Sequence, residues 1–293
     1  MKDLKILCVG KEQSSYEEWE ISPVFDINED GIDGIVYTIP NYQMVDVPLV
    51  CSLLEKNVPV FILKMRVENP HDVENIASSI KPGSALYIGD QYRLQPCARA
   101  ISDALKQDMC GQVEYISWRT TITLNERAKW MDNYKHLSLM DLCYHYFMTL
   151  YGYTGSFSGT VYAHSYAPSW LSDEGYFNML LRTKSGITVN MATEWGAADY
   201  KTTSYFGECV IEGKSGRLWT DGNRAEFTGR SSPTQILPLP DVKSGWAACA
   251  DDFCGHLRNG SLDRLISFEQ YREVFNLQYA ALLSSKQNRS VEF

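Results

Sequence analysis

Asp141 and His145 stand four residues apart in an apolar stretch whose spacing predicts a helix, so both side chains fall on one helical face within hydrogen-bonding range. A carboxylate beside an imidazole fixes its tautomer and raises its basicity, which is what a general base removing a hydroxyl proton requires. The plainer reading of that spacing is a surface or capped pair. Lys64 directly follows the apolar run 58–63, which reads as a buried strand. An ammonium there emerges at the edge where parallel sheets bind ligands and can polarise a hydroxyl or carbonyl oxygen. A lysine closing a strand is otherwise a solvated end residue. Trp195, ending the strand-like run 188–195, either stacks on a ligand ring or packs in the core. Lys11, in the loop after the first strand, is a phosphate contact or a solvated side chain. His71, His136, His164 and His256 show no metal-ligand spacing with one another or with cysteine, so no metal site is expected.

The elements that must position these residues fall into two series. Short apolar runs at 4–9, 34–39, 58–63 and 86–89 alternate with helical spacing at 47–56 and 71–80, the pattern of a parallel sheet buried on both faces. A helix at 96–107 leads to a β-branched and aromatic strand at 113–124, then to an apolar helix at 138–150 stopped at Gly152. From 158 to 227, alternating strands are divided by turn signals at Lys184-Ser185-Gly186, Lys214-Ser215-Gly216 and Asp221-Gly222, which implies a mostly antiparallel sheet. A last helix covers 268–286. The fold class is therefore an α/β domain with a short parallel sheet at 1–95, followed at 96–293 by an α+β domain with a large antiparallel sheet.

Composition narrows the partners. The 293 residues are 44% hydrophobic and 22% charged, with no apolar run that spans a bilayer and no N-terminal leader pattern. A net charge of −9 without a basic stripe argues against nucleic acid and anionic membrane, and a small-molecule substrate fits better. Eight scattered cysteines without a C-x-x-C pair read as reduced thiols, hence a cytoplasmic protein.

Several separate stretches resemble the glucose-fructose oxidoreductase and inositol dehydrogenase (Gfo/Idh/MocA) family, in the family's order. Gly89-Asp90-Gln91-Tyr92-Arg93-Leu94-Gln95-Pro96 is similar to its G-x-x-Y-R-x-x-P junction, and Leu139-Met140-Asp141-Leu142-Cys143-Tyr144-His145 to its L-x-D-x-G-x-H helix. Tyr37-Thr38-Ile39-Pro40-Asn41 matches A-T-P-N, Phe61-Ile62-Leu63-Lys64-Met65 lies where E-K-P is usual, and the C-terminal stretches resemble its closing helix and strand. The resemblance implies a truncated Rossmann-like domain, an NAD or NADP cofactor near Gly10, Lys11, Pro40, Asn41 and Lys64, and a substrate site with Lys64, Asp141 and His145 as catalytic groups. Tyr92, Arg93 and Trp195 are the substrate-binding candidates; Arg93 alternatively pairs with a carboxylate to hold the domains together. The antiparallel sheet implies a homodimer or homotetramer, its aromatic face being buried between subunits.

The departures from the family are equally specific. The G-x-G-x-x-G turn that brings a helix N-terminus to a pyrophosphate is replaced by Gly10-Lys11-Glu12-Gln13-Ser14-Ser15-Tyr16, and Gly34 already begins the strand before the A-T-P-N match. Most of one βα unit is thus expected to be missing, and the phosphate cradle and ribose-reading residue with it. Cys143 and Met148 replace a glycine and an aspartate, and Leu63 and Met65 flank Lys64. Three functions follow: an oxidoreductase acting on a sugar, cyclitol or related polyol; a nucleotide-independent enzyme moving protons in an elimination, isomerisation or cyclisation; or a non-catalytic ligand-binding or partner subunit. Specificity is expected in loops 124–135 and 164–175.

Overall fold

A computed structural model describes residues 4–10, 21–39, 43–123, 131, 135–169, 174–196, 202–261 and 264–293. The chain divides into two compact units, Met1–Leu94 with Lys243–Arg272, and Gln95–Val242 with Glu273–Phe293. The division after Leu94 lies beside the expected boundary, but Lys243–Arg272, expected in the second domain, belongs to the first.

The first unit is built on a six-stranded sheet. Its strands β1 (Lys5–Val9), β2 (Ser22–Val24), β3 (Gly34–Thr38), β4 (Pro59–Leu63), β5 (Ala85–Gly89) and a two-residue strand, Ile266–Ser267, lie in the order 266–267, β5, β4, β3, β1, β2. The first five are parallel and the last pairs antiparallel with β5. Every residue of β3 is buried, as a strand with apolar side chains on both faces requires. Helix α1 (Val47–Leu54) starts where the Asp46 carboxylate accepts the Leu49 N–H at 3.1 Å. In α2 (Pro70–Ser79) Asn69 caps the His71 N–H at 3.0 Å, with Pro70 in the first turn where no N–H is needed.

Two features differ from the expectation. The interval between β1 and β3 contains β2, a parallel strand of three residues beside β1. What is absent is a helix between β2 and β3, since residues 25–33 hold only turns and bends. The second feature is a helix at Gly245–Asn259, which the linear pattern left unassigned. Its Phe253 stacks on Phe61 with ring centroids 5.0 Å apart, and it forms one core with Leu4, Ile6, Cys8, Val36 and Tyr87. This packing is the reason the segment leaves the second domain: it covers one face of the parallel sheet, and truncating the fully buried Phe253 should cost roughly 3–5 kcal/mol.

The second unit carries a nine-stranded sheet in which 113–122 and 188–195 are the parallel pair and all other neighbours run antiparallel. Strand Gly159–Tyr166 alternates strictly between buried and exposed residues, and Tyr176–Thr183 continues the alternation. The outward side leaves Tyr162, Tyr166 and Leu180 exposed. The inward side meets the helix Cys143–Thr154, where Phe147 lies edge-on to Phe177. That helix runs through Gly152 and ends at Gly155, whose φ of 72° supplies the left-handed cap. Gly152 therefore does not stop it. The helix Phe268–Gln287 is tied to Gly159–Tyr166 by Ser284 and Ser285, which accept the backbone N–H groups of Ala163 and Ser165 at 2.9 Å each.

Candidate active site

The expected continuous helix over 138–150 is two elements. Ser138–Leu142 form a π-helical turn, closed by the Cys143 N–H donating to the Ser138 carbonyl, and the α-helix proper starts at Cys143. Turns with this extra residue recur at functional sites. Asp141 lies in the π-turn and His145 in the first turns of the helix; both are buried, at 6% and 4% exposure. The Tyr144 ring stands edge-on to the His145 imidazole at 5.3 Å. Burial drives the Cys143 thiol far above its ordinary range, a rise reinforced by the charge of neighbouring Asp141 and opposed by bonds from Thr193 and Ser138.

The turn is fastened from three directions. Gln278, buried in the helix Phe268–Gln287, donates Nε2 to the Leu139 carbonyl at 2.8 Å. Thr193, on strand Thr188–Trp195, has its hydroxyl 2.5 Å from that of Ser138 and 3.8 Å from the Cys143 sulfur. The Glu174 carbonyl accepts the Ser138 N–H at 3.4 Å, and the Glu174 carboxylate pairs with His136 and accepts from Ser165 at 3.0 Å. Burial alone would raise the Glu174 carboxyl; the bond and charge of His136, the Ser165 hydroxyl and the charge of Lys286 outweigh it and hold the group below its ordinary range.

Trp195 is 3% exposed and shares the inward side of its strand with Thr193, the side that meets the π-turn. It ends a sheet edge where Ile122 pairs with Trp195, Glu194 with Tyr176, and Tyr176 with Tyr166. The chain leaves or re-joins the sheet here on both expected specificity loops, much of which falls outside the described residues.

In the first unit, Lys64 follows β4 at half-burial with φ of 54°, and its N–H donates to the Gly89 carbonyl at 3.2 Å. A non-glycine residue in the left-handed region is strained by about 1–2 kcal/mol, and such strain clusters at functional sites. Met65 beside it is fully buried, with its carbonyl accepting from the Tyr271 hydroxyl at 3.3 Å. Gly10 ends β1 with φ of 100°, and a Cβ there would lie 2.2 Å from the Thr38 carbonyl oxygen. The close approach of two backbones explains the glycine. Lys11, Pro40 and Asn41 lie outside the described residues.

Tyr92 and Arg93 both donate their N–H groups to the buried Asp90 carboxylate at 3.0 Å, which fixes the turn after β5. Arg93 also lines a small cleft within the first unit with Asp90, Asp252 and Arg264. Sequence reasoning did not single out Asp26. Asp26 lies two residues past the C-terminal end of β2, which runs parallel to β1, so it falls at the edge of the sheet where the strands end. The signal that could have found it is an acidic residue about 16 positions after Gly10, close behind a short β-capable run. Its carboxylate accepts the Asn28 N–H at 2.9 Å, so Asp26 also shapes the following turn.

No family model matches the chain, and no curated protein matches it. Solved structures do. An aldose-aldose oxidoreductase from Caulobacter crescentus, complexed with glycerol, superposes with a TM-score of 0.78 at 14% identity over 100% of both chains. The chain has the fold of the Gfo/Idh/MocA oxidoreductases. An inositol dehydrogenase homolog from Azotobacter vinelandii, complexed with NADH and myo-inositol, gives 0.77 at 11% identity over 100% of this chain and 98% of that one. An oxidoreductase from Agrobacterium radiobacter, in complex with NAD+, L-tartaric acid and magnesium, gives 0.76 at 16% identity over 99% and 98%. Among the described residues no group of His, Cys, Asp and Glu is arranged to hold a metal, and no helix is long and apolar enough to cross a membrane.

Proposed function

We propose that this chain is an NAD(P)-linked oxidoreductase acting on a sugar, cyclitol or related polyol. The observation that carries the reading is the pair of buried ionisable groups, Asp141 and His145, at an irregular turn in a fold shared with aldose and inositol oxidoreductases. His145 is the acid/base that takes the proton of a substrate hydroxyl, Asp141 orients its imidazole, and Lys64 polarises the reacting oxygen. Trp195 offers an apolar ring at the sheet end where the substrate loops begin, and Tyr92 and Arg93 are further substrate contacts.

The residues present fit a dinucleotide in part. Gly10 follows β1 with a left-handed backbone, and Asp26, just past the C-terminal end of β2, would accept the hydroxyls of an adenosine ribose. Lys11, Pro40 and Asn41 would hold the rest, with Lys64 beside the nicotinamide. When bound, the nicotinamide ring exchanges hydride with the substrate carbon. The chain's own work is to hold that carbon's hydroxyl against His145 and to exclude water around the buried pair.

A second reading, proton-transfer chemistry without nucleotide, is favoured by the nine-residue, helix-free connection between β2 and β3, residues 25–33, with no further strand beyond β2 among the described residues to support the adenosine side. Mass spectrometry of ligands released from the purified protein, with nicotinamide absorbance monitored over a polyol panel, separates the readings. Reduction of NAD+ or NADP+ by a polyol supports the first; turnover of a polyol without any nucleotide overturns it. The exposed aromatic side of the large sheet, with Tyr162, Tyr166 and Leu180, supports assembly into a homodimer or homotetramer. A monomer by light scattering at micromolar concentration would refute that assembly.

A further inference from the structure

We propose that Gln278 and Thr193 are positioning residues that hold Asp141 in place relative to His145 through the π-turn, an inference that rests on the roles given to those two groups above. An α-helix satisfies its interior carbonyls from its own N–H groups. A π-turn inserts one residue, so the ladder is displaced and carbonyls beside the insertion need partners from elsewhere. Gln278 supplies one such partner, and Thr193, on a different element, braces the turn through its side chains. Gln278, 4% exposed, reaches the Leu139 carbonyl at 2.8 Å. Thr193, 1% exposed, meets Ser138 at 2.5 Å and Cys143 at 3.8 Å, the two residues whose backbones close the π-turn hydrogen bond.

Burying an amide and a hydroxyl is unfavourable unless each is hydrogen-bonded, and a regular helix packed by apolar side chains would need neither. Both groups are directed at the one irregular turn. What that turn carries is Asp141, four residues before His145. Slippage between π and α bonding would move the carboxylate along the axis by up to one residue's rise, about 1.5 Å. A misplacement of about 1 Å can cost on the order of a hundredfold in rate, so fixing the turn has a functional reason beyond stability.

The test reads the ring nitrogens of His145 by nitrogen-15 NMR in the full-length protein, with His145→Gln assigning the signals. Asp141→Asn sets the direction, since loss of the carboxylate changes the tautomer balance of the imidazole it orients. Thr193→Val and Gln278→Met remove these hydrogen bonds at nearly constant volume. Each is expected to shift the His145 signals in the direction of Asp141→Asn, while Thr193→Ser, which keeps the hydroxyl, restores the original position. Unmoved signals in Thr193→Val and Gln278→Met, beside a clear shift in Asp141→Asn, overturn the positioning role and leave the catalytic pair standing. Unmoved signals in Asp141→Asn overturn the pairing itself and the positioning role with it. Should Thr193→Val not fold, Gln278→Met decides by the same reading.

Discussion

Replacing Gly10 by alanine separates a structural glycine from a ligand-driven one. At φ of 100° an added Cβ would stand 2.2 Å from the Thr38 carbonyl oxygen, well inside van der Waals contact and against backbone that cannot swing away. Gly31, in the same unit, has φ of 67° and nothing within 4 Å of its virtual Cβ, so Gly31→Ala carries the conformational penalty alone. That penalty is about 1–2 kcal/mol. Forcing β1 from β3 at Gly10 adds the clash, bringing Gly10→Ala to roughly 3–4 kcal/mol, in the range reserved for named mechanisms such as strain and overpacking. With about 2–4 °C lost per kcal/mol for a chain of this size, thermal denaturation should place Gly10→Ala on the order of 10 °C below the parent and Gly31→Ala only a few degrees below. Equal shifts for the two variants would refute the close-approach argument. A Gly10→Ala protein with unaltered melting but weakened nucleotide binding would instead assign the glycine to the ligand.

Three further outcomes are expected. His145→Ala and Lys64→Ala should each lower turnover at least about a hundredfold with folding intact, and near-normal kcat in either variant returns that residue to a structural role. Asp26→Asn should weaken NADH binding several-fold while leaving NADPH binding little changed, read by nicotinamide fluorescence titration; identical affinities in parent and variant would remove Asp26 from the site. Glu174, held below its ordinary value of 4.5 chiefly by His136 against the opposing effect of burial, binds protons less readily folded than unfolded. Its contribution is therefore present above about pH 4.5 and lost as pH falls through the folded value, so the melting difference between parent and Glu174→Gln should shrink on acidification below that point. A difference that grows in acid contradicts the sign.

The sequence by itself determined the parallel strands at 34–38 and 59–63, because uninterrupted β-branched and aromatic runs can only be buried on both faces. It also determined the alternation of the large sheet and the helix start at Asn69-Pro70, since each depends on neighbours within a few residues. The spacing of Asp141 and His145 was legible for the same reason. Tertiary structure decided the rest. Ser22–Val24 is too short, with Pro23 inside it, to carry a strand pattern, and becomes a strand only by pairing with β1, which is what brings Asp26 to the ligand edge. The segment Gly245–Asn259 joins the first unit because Phe253 finds Phe61 across 192 residues of chain, a contact no local pattern encodes. The left-handed backbone of Lys64 follows from its bond to Gly89 on the neighbouring strand. The π-turn under Asp141 is braced by Gln278 on the Leu139 carbonyl and by Thr193 on the Ser138 hydroxyl, 139 and 55 residues away from those partners; a linear reading of helical spacing predicts an unbroken helix there.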